Sequence, residues 1–125
     1  IVIENWKNKE EIFEQIDNIV VIISSSICET FGLTIVEGFF RGKPVVSTNS
    51  GGPNDLVNHS NGILVGDINS IELGLVEMIE TYSRFSSDQI RRDAMSRYAE
   101  LVISKKMIDV YQSVISSVAK VSSNF

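Results

Sequence analysis

Residues 19–48 read IVVIISSSICETFGLTIVEGFFRGKPVVST, and this stretch decides the fold. Ile19-Val20-Val21-Ile22-Ile23 is an unbroken β-branched run, the pattern of a strand covered on both faces in a parallel sheet. Ser24-Ser25-Ser26 breaks the strand into a loop. Residues 33–40 then read as a helix, stopped by Arg41-Gly42. Lys43-Pro44-Val45-Val46-Ser47-Thr48 is the next strand, with proline near its first position, where a lost amide donor is tolerated.

The alternation continues outward in both directions. Upstream, Ile1-Val2-Ile3 reads as a short buried strand. Asn8 with Glu11 three residues later forms an N-cap pattern ahead of Ile12, Phe13 and Ile16, which share one helix face. Downstream, Asn49-Ser50-Gly51-Gly52-Pro53 is a loop, and Pro53 suits the first turn of a short helix over 54–57. Gly62-Ile63-Leu64-Val65 is a further strand. Asn69 with Glu72 repeats the capping pattern ahead of Leu73, Val76 and Ile79, and Ser86 with Gln89 repeats it ahead of Ile90, Ala94 and Tyr98. Ile108, Tyr111, Ile115 and Val118 give a last stripe at helical spacing, and residues 122–125 are expected to fray. The order β-α-β-α-β-α-β followed by helices specifies an α/β fold: a partial Rossmann-like parallel sheet of four short strands with flanking helices.

Composition removes several function classes. The chain has 125 residues, 43% of them hydrophobic and 22% charged, which is ordinary globular usage. The eleven Lys and Arg are scattered and the net charge is −5, so nothing supports nucleic-acid binding. Cys28 is the single cysteine, which excludes an internal disulfide and any cysteine-based zinc site and fits a reducing cytoplasm. No secretory pattern opens the chain. The longest pure apolar run, residues 19–23, falls far short of the ~20 residues of a membrane span. Because the chain opens on Ile1 rather than methionine, it is expected to be cut from something longer.

The chemistry sits in Glu29-Thr30-Phe31-Gly32-Leu33-Thr34-Ile35-Val36-Glu37. One carboxylate lies in the loop leaving a buried strand and the other inside the following helix. In open α/β sheets, ligands bind at the carboxyl ends of the strands. The first helical turn leaves backbone amides near Gly32 to Thr34 without internal partners, and these favour phosphate or sugar oxygens. Glu37, about a turn and a half further in, suits the two neighbouring hydroxyls of a ribose. The same residues also fit a loop acid and a solvated helix glutamate, and their spacing alone does not choose.

A longer pattern does. Ser26-x-x-Glu29-x-Phe31-Gly32-Leu33, then Glu37, Gly42-Lys43-Pro44-Val45-Val46, Gly51-Gly52 and Asn61-Gly62-Ile63-Leu64-Val65 resembles the C-terminal domain of family-4-type retaining glycosyltransferases (glycosyl transferases group 1). These have the GT-B fold of two Rossmann domains, with E-x7-E as signature. The resemblance runs from about Ile1 to Tyr111. It implies that residues 1–121 are the second half of a C-terminal nucleotide-sugar-binding domain, with 122–125 as a tail. By the same resemblance, Glu37 looks like the ligand of the ribose hydroxyls. Glu29 looks like the catalytic-site contact to hydroxyls of the transferred sugar. The amides of Phe31, Gly32 and Leu33 resemble those that hold sugar and diphosphate, with Thr34 close to the phosphates. No cofactor and no metal are implied, only a UDP- or GDP-sugar as substrate.

The chain departs from the family pattern in places. Gly38 stands where alanine is usual, Ser25 where proline is frequent, and Asp55 in the region where a glutamate is common. The family's Arg/Lys pair for the diphosphate, and its N-terminal domain with the acceptor site, belong upstream of Ile1. This piece alone is therefore expected to lack transfer activity, since such electrostatic stabilisation usually dominates catalysis. Implied partners are the nucleotide-sugar, a glycan or lipid-linked acceptor and that N-terminal domain. A cytoplasmic location with peripheral contact to the inner membrane face goes with them.

Other residues read more plainly. His59 is expected at the surface, Cys28 as packing or a loop lining, Trp6 against Phe13 as a local apolar contact, and Arg91-Arg92 on a helix surface. The helices beyond Ser70 are expected to cover the sheet, and the resemblance implies that the last also packs toward the N-terminal domain and leaves some apolar surface exposed. Competing functions are a nucleotide-sugar epimerase or sugar-phosphate synthase of the same fold, and a non-enzymatic α/β domain such as a phospho-receiver. The receiver is disfavoured, because residues 19–23 end in serines rather than an aspartate.

Overall fold

The computed structural model describes residue 5 and residues 7–122, with side chains to residue 118. The expected strand Ile1-Val2-Ile3 and Trp6 lie outside the described residues. Helix α1 spans Lys9–Asn18 and opens on a complete capping box, in which Asn8 accepts from the Glu11 amide and Glu11 from the Asn8 amide, both at 2.9 Å. Strand β1 is Ile22–Ser24, helix α2 Leu33–Phe40, strand β2 Val45–Thr48, helix α3 Pro53–Leu56 and strand β3 Gly62–Val65. Helices α4 (Ile71–Thr81), α5 (Ser87–Tyr98) and α6 (Glu100–Ser122) complete the order.

The described strands form one parallel sheet in the order β1-β2-β3, with Ile22 beside Val45 and Val45 beside Gly62. One face carries α1, α2 and α5 over a core that includes Ile16, Ile35, Phe39, Val45, Leu56 and Ile90. The other face carries α4, whose Met78 packs on Val46 and Ile63. Every residue of β2 is buried, so β2 is the strand with two covered faces.

Three expectations fail. The run at residues 19–23 was read as a strand covered on both faces, but only Ile22 is buried. Ile23 and Val20 are 54% and 65% exposed. β1 is the edge of the described sheet, and α4 packs on β2 and β3 instead. Asn69 is not a cap: it sits inside the 3₁₀ turn Ile68–Ser70, and Asp67 accepts from the Ser70 amide at 3.1 Å. Nor does α6 cover the sheet. It packs chiefly on α5, and its stripe Ile108, Tyr111, Ile115 and Val118 is exposed, the exposed apolar surface that the resemblance implied for the last helix.

Gly38 also finds its reason here. A Cβ at this position would stand 2.0 Å from Cδ1 of Ile22, so the bare backbone of α2 is the seat of the β1 side chain.

Candidate functional site: two loops at the carboxyl ends of the strands

The loops leaving β1 and β2 are joined by backbone. Glu29 donates its amide to the Ser50 carbonyl, and Gly52 donates to the Glu29 carbonyl, each at 2.8 Å. Together they form a parallel bridge between Glu29 and Gly51. The Thr48 hydroxyl, at the end of β2, donates to the Ser26 carbonyl and adds a third tie. The double glycine is required by closeness. Gly51 has φ 112°, where L side chains are strained, and a Cβ there would lie 2.7 Å from the Glu29 carbonyl oxygen. A Cβ on Gly52 would lie 2.5 Å from the Phe31 backbone.

Glu29 accepts a hydrogen bond from the Phe31 amide at 3.3 Å, so its carboxylate is folded over its own loop. Gly32 then turns the chain with φ 99° and its carbonyl accepts from the Ile35 and Val36 amides, starting α2. No side chain caps this helix, and the Leu33 and Thr34 amides of its first turn are left to a ligand or to water.

Helical spacing sorts the site residues. Ile35, Val36 and Phe39 enter the core. Phe31, Leu33 and Glu37 line a groove of 390 Å³ together with Lys9 and Phe13 of α1 and Tyr98 of α5. Thr34 borders a different groove, of 300 Å³, between α1 and β1. The six expected site residues therefore share one loop and one helix, but only three of them share one groove. Glu37 is half-buried, and its carboxylate makes no hydrogen bond or ion pair to another described residue.

Two lining residues escaped the sequence. Tyr98 was legible only as part of the apolar stripe of α5, yet its ring meets Phe31 edge-on at 6.3 Å and 80°. Its hydroxyl is buried with no hydrogen-bond partner. Burial raises its pKa above the usual tyrosine value, with the Arg97 guanidinium opposing and the Asp55 carboxylate adding to the rise. Lys9 carried no signal at all, because a lysine in the first turn of a helix reads as a solvated charge. His59, Arg91 and Arg92 are exposed, in keeping with their plain readings, and Cys28 is exposed too, which speaks against packing. Among the described residues no helix is long and apolar enough to cross a membrane. No group of three or more His, Cys, Asp and Glu among them is placed to hold a metal ion.

The chain is similar to several known proteins. The chain is 42% identical over 69 residues to probable sucrose-phosphate synthase 5 of Oryza sativa subsp. japonica, a match covering 53% of this chain and 7% of that protein. It is 40% identical over 62 residues to sucrose-phosphate synthase of Zea mays, covering 47% and 6%. Among solved structures, Anabaena HepE in complex with UDP-glucose superposes with a TM-score of 0.72 at 26% identity, covering 82% of this chain and 30% of that one. The chain thus spans a small part of each relative. Its parallel sheet and flanking helices are the α/β arrangement of the GT-B glycosyltransferases. Residues 2–102 match the family model described as "Glycosyl transferases group 1", and the chain belongs to that family.

Proposed function

We propose that this chain forms the donor-binding part of a retaining glycosyltransferase that moves a hexosyl unit from a nucleotide-sugar, UDP- or GDP-linked, to a glycan or glycolipid acceptor. The observation that carries the reading is the family match over residues 2–102, with Glu29 and Glu37 set around the carboxyl ends of parallel strands. In this reading Glu37 accepts from both ribose hydroxyls. The Phe31, Gly32 and Leu33 amides and Thr34 hold sugar and diphosphate, favoured by the uncapped start of α2. Glu29 contacts hydroxyls of the transferred sugar. The reaction needs no metal, and turnover needs an N-terminal domain and the cations for the leaving diphosphate. The setting is cell-surface polysaccharide synthesis at the inner membrane face.

Two relatives support a second reading for the acceptor. The likeness to sucrose-phosphate synthases favours a sugar phosphate in place of a glycan. Product analysis with each acceptor class separates the two.

The test of donor binding is an amide-shift titration with UDP, GDP and ADP at millimolar concentration. Selective shifts at residues 32–37 with one nucleotide support the reading. Full-length protein that binds none of the three sinks it.

A further inference from the structure

The groove beside α2 holds two opposite charges that do not meet. The Lys9 ammonium lies over the Phe13 ring, 5.5 Å from its centre, and forms no ion pair with Glu37 or any other described residue. An ammonium only donates and a carboxylate only accepts. A ligand that satisfies both must offer hydroxyl donors to Glu37 and an acceptor to Lys9. Phe13, Phe31 and Leu33 line the same groove, walls that suit a flat ring and would strip water from a diphosphate without replacing it. The phosphates have donors of their own in the first turn of α2. The groove's 390 Å³ falls within the roughly 300–1,000 Å³ of small-molecule sites.

We propose that Lys9 reads the base: its ammonium donates to a ring carbonyl oxygen of the nucleoside whose ribose Glu37 holds. Bases carrying a carbonyl there are favoured over bases carrying an amino group, whose own N–H donors would face the ammonium. This rests on the donor reading above and names the determinant of base choice within it.

The experiment is calorimetric titration of the full-length protein with two pairs, UDP against CDP and IDP against ADP, each exchanging a carbonyl for an amino group. The carbonyl member of at least one pair should bind about tenfold tighter, as one hydrogen bond to a charged donor implies. Lys9→Met keeps the apolar stem and removes the charge, and it should bring that ratio close to one, while Lys9→Arg should restore it. Lys9 is exposed in the first turn of α1, where a positive charge does not help the helix, so the fold survives the change. A wild-type ratio of one in both pairs overturns the proposal, as does a ratio that persists in Lys9→Met. Equal weakening of all four nucleotides would make Lys9 a phosphate contact and overturn it too. Binding of no nucleotide, or affinity untouched by Glu37→Gln, overturns the donor reading itself.

Discussion

The Gly52 amide donates to the Glu29 carbonyl at 2.8 Å, one of the bonds by which the loop after β2 holds the loop after β1. Glu29 is thereby positioned by its backbone from a segment more than twenty residues away. Its side chain remains free to fold over the Phe31 amide or to turn to a ligand.

Gly51→Ala should break this arrangement. The new Cβ falls 2.7 Å from the Glu29 carbonyl in a backbone region that L residues avoid. We expect a loss of about 1–3 kcal/mol in unfolding free energy by chemical denaturation, with nucleotide affinity falling in the folded fraction. Wild-type stability would mean that the two loops are not bridged in solution.

Gly38→Ala tests the seat of β1. Alanine in a helix interior usually gains ~1 kcal/mol over glycine. Here its Cβ meets Ile22 Cδ1 at 2.0 Å, so the substitution should instead destabilise, by roughly 1–3 kcal/mol of overpacking. Ile22→Val removes that methyl group, and the double variant should be more stable than the two single effects added together. A strictly additive cycle would show that the two sites do not touch.

Glu37→Gln keeps the shape of the side chain and removes its charge. Nucleotide affinity should fall by roughly 1.5–3 kcal/mol for each hydrogen bond to the charged group that is lost. Stability should hardly change, since Glu37 has no partner among the described residues. Isothermal titration and thermal melting read the two effects separately.

Tyr98→Phe removes a buried hydroxyl that has no partner. The variant should match or exceed the wild type in stability, by up to about 1–3 kcal/mol, the cost of leaving such a group unsatisfied. It should also change the alkaline limb. In the folded chain the Tyr98 pKa lies above its unfolded value, so the wild type loses stability as pH rises from about 10, the ordinary tyrosine value, toward the folded one. Below that window the contribution is constant. The difference between wild type and Tyr98→Phe across pH 9–12 isolates this residue from the other tyrosines.

The sequence by itself determined the local structure and the family. Helix 33–40 and strand 62–65 fall where the pattern put them, because caps, glycine stops and β-branched runs act through neighbouring residues. The E-x7-E pair and the double glycine were legible as a motif, though not the reason for the glycines. Tertiary structure decided what depends on distant segments meeting. It left β1 at the edge of the described sheet, seated Ile22 on Gly38 and bridged Glu29 to Gly51. It also turned Glu37 and Thr34 toward different grooves and brought Lys9 and Tyr98 beside Glu37 from either end of the chain. Periodicity says which face of a helix is apolar, but not which neighbour that face meets, because the neighbour is chosen by the packing of the whole sheet.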